Sequence, residues 1–171
     1  MVAEILKIVL PAFIVFLTAY FVIKQLLLRD HENKKVEIIL RNQKVITPIR
    51  LQAYERVILF LERIGPNHLV MRVQRPQMNV SEMQLEMLSS IRTEFEHNLS
   101  QQLYISPESW ELVRNAKESI VKLINTCAAE QKPNANAMLL VKEIFDKLIE
   151  MDKAPNQAAI DALKKEISQM F

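Results

Sequence analysis

The stretch SEMQLEMLSSIRTEFEHNLSQQL, residues 81–103, decides the fold class of this chain. Apolar side chains recur in it at every fourth position, which places them on one side of an α-helix. They are Met83, Met87, Ile91, Phe95, Leu99 and Leu103. Ser81 and Gln84 have the S-x-x-Q spacing of a capping box, so we expect the helix to begin at Ser81. The stretch predicts an amphipathic helix with one face in a core.

A second helix is predicted upstream, over residues 47–64. Thr47 followed by Pro48 is typical of a helix start, and Gly65 followed by Pro66 is typical of a helix end with the glycine at C′. Its apolar residues cover roughly half the circumference of a helical wheel: Ile49, Leu51, Ala53, Tyr54, Val57, Ile58, Phe60, Leu61 and Ile64. One neighbouring helix cannot cover so wide a face. We therefore predict that this helix is central in a bundle or contacts another subunit or the membrane.

Three further amphipathic segments follow residue 103. Ser106 and Pro107 start one whose inner face carries Trp110, Val113, Ala116, Ile120, Ile124 and Cys127. The stretch QKPNANA, residues 131–137, separates it from two shorter segments, whose apolar faces carry Leu140, Ile144, Leu148 and Met151, then Ile160, Leu163, Ile167 and Met170. Residues 68–73 fit either a brief helix or an extended connector. We predict an all-α fold of about four to five helices, with the bundle core at 47–130 and a helical hairpin at 131–171.

The composition agrees with an all-helical chain and excludes several classes of function. The 171 residues include a single glycine, which excludes the glycine-rich loops that bind phosphates and dinucleotides. A net charge of +2 is too small to indicate a nucleic-acid partner. Cys127 lies in the middle of an apolar stripe, so we predict a buried apolar residue and not a nucleophile. We expect no cofactor, no metal and no nucleic acid.

The amino-terminal segment has the pattern of a membrane anchor. Residues 8–23, IVLPAFIVFLTAYFVI, carry no charge, and Lys7 and Lys24 border them. Sixteen helical residues span roughly 24 Å, and snorkelling lysine side chains extend that toward the roughly 30 Å hydrocarbon core. The alternatives are a signal peptide and a buried core helix, and no small-residue cleavage site of a signal peptide follows the run. We predict an uncleaved transmembrane helix within residues 1–28.

Basic residues lie mainly on the carboxyl-terminal side of this apolar run. They are Lys24, Arg29, Lys34, Lys35, Arg41 and Lys44. The positive-inside rule therefore predicts that the rest of the chain is cytoplasmic. We interpret residues 29–46 as a charged juxtamembrane segment, either a linker or a helical continuation of the anchor.

The candidate site is the polar part of the 81–103 helix. Glu94 and His97 have the E-x-x-H spacing of carboxylate-bridged metal bundles, but the chain holds no second such pair. On the wheel His97 lies nearly opposite Phe95, whereas Asn98 and Gln102 lie within about 60° of it. Buried polar groups need partners, so we predict that these amides meet polar groups across a helix interface, with the charges outward. We name this set the polar seam: Arg92, Glu94, His97, Asn98 and Gln102. The edge of a binding groove is the alternative interpretation.

Two segments carry a resemblance to a known family. TPIRLQAYERVILFLERI, residues 47–64, and EFEHNLSQQLYIS, residues 94–106, resemble a family of short, membrane-anchored proteins from Bacteroidota whose function is uncharacterised. The resemblance covers the anchor through about residue 125. It implies a location in the bacterial inner membrane and implies no chemistry.

The sequence as a whole predicts a single-pass membrane protein that acts by protein–protein interaction. Its helical domain would be a scaffold or adaptor for a protein partner, and the wide apolar face of residues 47–64 also favours association with a second copy. The alternative is a membrane-bound enzyme or small-ligand-binding protein with its site near Glu94 and His97. A closed cavity of several hundred Å³ beside those residues would favour that alternative.

Overall fold

A computed structural model describes the backbone of residues 2–169 and the side chains of residues 16–18, 20–25, 37, 41 and 43–169. Over that range the chain is helical, with six α-helices, one 3₁₀ helix and no β-strand. The all-α prediction is confirmed. The α-helices are α1 (Val2–Ile64), α2 (Pro66–Val73), α3 (Val80–Asn98), α4 (Pro107–Ala129), α5 (Ala137–Glu150) and α6 (Gln157–Ser168), and the 3₁₀ helix is Leu99–Leu103.

The chain forms two compact units, Met1–Pro48 and Ile49–Phe171. Helix α1 runs through Thr47 and Pro48 without a break, so the predicted helix start at Thr47 is wrong. Residues 29–46 are a helical continuation and not a linker. A proline inside a helix removes one backbone hydrogen bond and costs about 3 kcal/mol. Because Pro48 is exposed, water can donate a hydrogen bond to the backbone carbonyl four residues earlier, which has no N–H partner in the helix. The long helix on either side of Pro48 tolerates the loss of this one hydrogen bond.

One hydrophobic core holds the second unit together, and each of its α-helices contributes to it. The predicted inner faces are confirmed at most positions: Ala53, Tyr54, Val57, Phe60, Leu61, Ile64, Met83, Met87, Ile91, Trp110, Val113, Ala116, Ile120, Ile124, Cys127, Leu140, Ile144, Ile160 and Leu163 are all buried. Helix α5 packs on α3 and α4, and α6 packs on α4. The helices of the segment predicted as a hairpin, α5 and α6, therefore pack on the bundle and complete the same core.

The helix around residue 99 departs from the predicted pattern. Leu99 and Leu103, which we expected in the core, are exposed. The chain changes from α-helix to 3₁₀ helix at Leu99, and with about three residues per turn a four-residue spacing no longer stays on one side. Ile49 and Met151, near the ends of buried segments, are also exposed against the prediction. Met170 lies outside the described residues.

Capping residues fix where the helices begin. The capping box of α3 consists of Asn79 and Glu82, with the Glu82 N–H donating to the Asn79 side chain at 2.8 Å and the Asn79 N–H donating to the Glu82 carboxylate at 3.0 Å. The predicted box of Ser81 and Gln84 is wrong by two positions. Asparagine caps as well as serine does, and a glutamate in the first turn also favours the helix dipole. The predicted cap at Ser106 is confirmed, since its side chain accepts from the Ser109 N–H at 3.2 Å.

The single glycine lies between α1 and α2. Its φ of −53° and ψ of 134° are ordinary for any residue, so the left-handed C′ conformation predicted for Gly65 is absent. Close packing explains the glycine instead. A Cβ at this position would lie 3.1 Å from the Asn156 side-chain nitrogen and 3.1 Å from the Glu62 carbonyl oxygen. Pro66 begins α2, so residues 68–73 are helical.

The predicted membrane anchor falls mostly on side chains outside the described set. Of residues 8–23, side chains are described for 16–18 and 20–23. Among the described residues, no helix contains a stretch long and apolar enough to cross a membrane.

Candidate functional site

The residues of the predicted polar seam do not form one cluster in the structure. Arg92, His97 and Gln102 are exposed, whereas Glu94 and Asn98 are half-buried. The Asn98 side chain donates to the Glu94 backbone carbonyl at 2.8 Å, which is a contact within its own helix. The prediction that Asn98 and Gln102 meet polar groups across a helix interface is therefore wrong. The amide that the 3₁₀ helix buries is that of the neighbouring residue, Gln101.

Glu94 is the member of the seam that joins different helices. Its carboxylate contacts Arg63 of α1 at 2.7 Å and Arg72 of α2 at 2.8 Å. Arg72 also donates to the Ser90 hydroxyl at 2.7 Å. The sequence predicted only that the charges of the seam point outward, and the ion pairs of Glu94 with α1 and α2 were not predicted. Because the cluster is partly exposed, each ion pair contributes only about 0.2–1 kcal/mol, and its main effect is to fix the position of α2.

An aromatic stack is centred on Phe95, the residue that follows Glu94 in α3. The ring centroid of Phe95 is 5.8 Å from that of Phe60 and 5.9 Å from that of Trp110, and the Lys117 ammonium lies 4.4 Å from the Phe95 centroid. These rings join α1, α3 and α4 at spacings that favour aromatic pairs. The stack therefore holds α3 against α1 and α4 at the residue next to Glu94.

A second polar cluster surrounds Glu166 on α6. The Tyr54 hydroxyl donates to its carboxylate at 2.6 Å, the Ser106 N–H at 3.2 Å and the Ser106 hydroxyl at 2.9 Å. Burial and the bond to Glu166 raise the pKa of Tyr54 to about 12. Burial raises the pKa of the Glu166 carboxyl, but hydrogen bonds from Ser109, Tyr54 and Ser106 outweigh it and lower that pKa below its usual range. The cluster ties α6 to α1 and to the start of α4. It satisfies groups that would otherwise be buried without partners.

A cavity of about 560 Å³ lies elsewhere, between the α1–α2 junction, the end of α5 and the start of α6. We call it the α2–α5 groove; its lining includes Glu62, His68, Met71, Phe145, Ile149 and Asn156. None of the polar-seam residues lines it. The condition that would favour a ligand site at Glu94 and His97 is therefore not met by this cavity. Sequence patterns did not indicate the groove, because three separate stretches of the chain, the first far from the other two, form it.

Metal-binding and nucleophilic groups are not brought together in the described part of the chain. Within that part, no three His, Cys, Asp or Glu side chains converge in a way that could hold a metal ion. Cys127 is buried, as predicted, and burial raises the pKa of its thiol. A thiol with a raised pKa in an apolar setting is a poor nucleophile.

Comparison with known proteins identifies a family for this chain but indicates no activity or ligand. A family model described as a family of unknown function, DUF7935, matches residues 1–170. The chain belongs to this family. The predicted resemblance stopped near residue 125, whereas the match also includes α5 and α6. No curated protein and no solved structure matches the chain.

Proposed function

We propose that this chain is a single-pass membrane-anchored adaptor of the bacterial inner membrane. In this proposal the amino-terminal part of α1 crosses the bilayer, and the helical bundle of the second unit lies in the cytoplasm. The bundle recruits a protein partner, and a second copy of the chain is one such partner.

The distribution of exposed apolar side chains on α1 carries the proposal. Tyr20, Phe21, Val22 and Ile23 are four consecutive residues, and each is 53–62% exposed. At about 100° per residue, four consecutive positions cover the whole circumference of a helix. A protein partner covers one side of a helix, whereas lipid surrounds it. Exposure of large apolar groups on every side therefore supports lipid as the surrounding medium.

The charges that follow the apolar run support the cytoplasmic orientation. Six basic residues lie between positions 24 and 44, against Lys7 on the other side. Basic residues close to a membrane span are retained on the cytoplasmic side. Anionic lipid head groups at that surface add about 1 kcal/mol for each nearby lysine or arginine.

Apolar groups left on the surface of the second unit support the adaptor role. On α1, Ile49 and Leu51 of the predicted apolar face remain exposed although the inner side of the same helix is buried, and Leu59, which lies outside that face, is exposed as well. The bundle thus uses only part of the wide apolar face predicted for residues 47–64. The remaining part is available to a partner.

The anchor is tested by extraction of membranes with alkaline carbonate. We expect the native chain to stay in the pellet. A double variant, Phe16→Arg with Phe21→Arg, places two charges in the run at a cost of roughly 2.5–3.5 kcal/mol each, and should move to the supernatant. Val45→Arg, an exposed position on the same helix outside the run, is the matched control and should stay in the pellet. Extraction of the native chain would overturn the anchor, and digestion of the bundle by protease added outside the cell would overturn the orientation.

The adaptor role is tested by mild crosslinking of the full chain in native membranes, read by mass spectrometry. Two variants are compared: Leu59→Glu, and a triple variant of the polar seam, Glu94→Ala with His97→Ala and Asn98→Ala. A recurrent partner that is lost only with Leu59→Glu would locate the contact on α1. Loss only in the triple variant would locate it on the seam. Self-crosslinks alone would identify the partner as a second copy, and no crosslinks at all would overturn the role.

A further inference from the structure

Helix α6 is held by polar contacts at both of its ends. At its start, Asn156 is only 6% exposed, and its side-chain nitrogen donates to the Leu61 carbonyl at 3.0 Å. In its last turn, the Glu166 carboxylate accepts from the Tyr54 hydroxyl at 2.6 Å. Because Leu61 and Tyr54 both belong to α1, α6 runs antiparallel to that part of α1. The two contacts therefore fix the position of α6 along α1 as well as its direction.

The surface that α6 covers is selective for the sequence of this helix. We call it the α6 slot; its polar positions are Tyr54, Leu61, Gly65 and Ser106. The N–H and hydroxyl groups of Ser106 donate to Glu166, as Tyr54 does. Under a helix without a carboxylate at that place, these donors would lose their acceptor. Gly65 leaves room for Asn156, since a Cβ there would lie 3.1 Å from the Asn156 side-chain nitrogen. The slot therefore favours α6 over other amphipathic helices.

An exposed connector joins α6 to the helix before it. Helix α5 ends at Glu150, and residues 151–154 are non-helical and exposed. Six residues, 151–156, span at most about 20 Å when extended. Helix α6 has 12 residues, fewer than an isolated helix needs to be stable in water, so it depends on a slot for its structure. Opening of the connector breaks few contacts and lets α6 reach the slot of an adjacent copy.

We propose that two copies of the chain exchange α6, so that the slot of each copy holds the α6 of the other. The exchange replaces each contact of α6 with an identical one, which makes it a low-cost route to a dimer. Anchors in the same membrane hold the two slots at the same height and raise the local concentration of one copy at the other. The inference rests on the proposed function, since it names the segment through which a second copy binds.

The test uses two differently tagged versions of the full chain, expressed together in one membrane. Both carry Cys127→Ala, which removes the single native thiol. One carries Leu112→Cys on α4, and the other carries Lys165→Cys on α6, two exposed positions that line one cavity between these helices. A short bismaleimide joins the two thiols where α6 of one copy lies on α4 of the other. We expect a mixed dimer that carries both tags, at least about tenfold more abundant than with Lys142→Cys on α5, an exposed lysine outside that cavity.

A charge reversal separates exchange of α6 from simple proximity of two bundles. In the copy that carries Lys165→Cys, Glu166→Lys should reduce the mixed dimer by at least about tenfold, because its α6 no longer fits the slot of the other copy. In the copy that carries Leu112→Cys, the same substitution should raise the yield, because the α6 of that copy leaves its own slot open. A mixed dimer no more abundant than the control, or the same response to Glu166→Lys in both copies, would each overturn the proposal.

The outcome is distinguishable from failure of the proposed function. A chain that resists carbonate and crosslinks to a protein partner, yet gives no mixed dimer above the control, would overturn only the exchange. A mixed dimer formed by a chain that carbonate extracts would overturn only the anchor. The fluorescence of Trp110, which lies in the aromatic stack, shows whether each variant is folded.

Discussion

Removal of one hydroxyl group, in Tyr54→Phe, should measurably destabilise the second unit. The hydroxyl donates to the Glu166 carboxylate at 2.6 Å, and a hydrogen bond to a charged group contributes about 1.5–3 kcal/mol. The Tyr54 ring is fully buried and phenylalanine retains it, so the variant leaves no cavity. Glu166 also keeps both bonds from Ser106. We therefore expect a loss of about 2 kcal/mol in the free energy of unfolding, or about 8 °C in melting temperature for a unit of this size.

The measurement is urea unfolding of the full chain followed by the fluorescence of Trp110, the single tryptophan. Tyr104→Phe is the control, since Tyr104 is exposed and its side chain makes no hydrogen bond within the described chain; it should change stability by less than about 0.5 kcal/mol. A double-mutant cycle of Tyr54→Phe with Glu166→Gln should return a coupling of about 1 kcal/mol or more. Equal effects of Tyr54→Phe and Tyr104→Phe, or no coupling in the cycle, would refute the reasoning.

The hydrogen-bonded pair of Tyr54 and Glu166 predicts how the stability of the second unit depends on pH. The folded state raises the pKa of Tyr54 to about 12, so its stabilisation is complete below the ordinary value of 10 and is lost as pH rises from 10 to about 12. The folded state lowers the pKa of Glu166, so its stabilisation is complete above the ordinary value of 4.5 and is lost as pH falls below it. Tyr54→Phe should make the alkaline decline shallower, and Glu166→Gln should do the same for the acid decline. An alkaline decline as steep in Tyr54→Phe as in the native chain would contradict the assignment.

Three further predictions test the core, the caps and the thiol. Ile144→Ala should cost about 3 kcal/mol in urea unfolding because the residue is fully buried, whereas Ile149→Ala on the same helix should stay within about 0.5 kcal/mol; similar costs would contradict the packing. Asn79→Ala should lower the free energy of unfolding by about 1 kcal/mol, and Ser81→Ala should lower it much less. The reverse order would support the Ser81–Gln84 capping box expected from the sequence. Cys127 should react with a maleimide at least about tenfold more slowly in the native chain than in urea, and equal rates would show that the thiol is accessible.

The parts of the fold that follow regular α-helical periodicity could be predicted from the sequence. Every inner position expected on α4, from Trp110 to Cys127, is buried, because that helix keeps 3.6 residues per turn over its whole length. The prediction failed where the geometry changes. At Leu99 the helix tightens to 3₁₀, and the side chains beyond it rotate away from the positions that a regular wheel gives them.

The candidate sites could not be predicted, for a different reason. Glu94 acquires its partners from Arg63 and Arg72, which are 31 and 22 residues away along the chain, and no local spacing encodes such a contact. The α2–α5 groove is likewise made by segments from Glu62 to Gln157. At Pro48 the local sequence was misleading: a proline strongly predicts a helix boundary, yet α1 continues through it. Local preferences locate most helices here, whereas contacts between helices determine the sites.

The place of Glu166 in the fold has a consequence for synthesis on the ribosome. Helix α6 is the last of the described helices to be translated. Its Glu166 carboxylate accepts the hydrogen bond from Tyr54, which lies near the beginning of the second unit. Until α6 emerges, the Tyr54 hydroxyl lacks its partner, and the core lacks Ile160 and Leu163. The nascent bundle therefore stays open, with apolar surface exposed to chaperones, until α6 is made. A premature stop codon between the end of α5 and the start of α6 would leave the chain in that open form, a substrate for proteases.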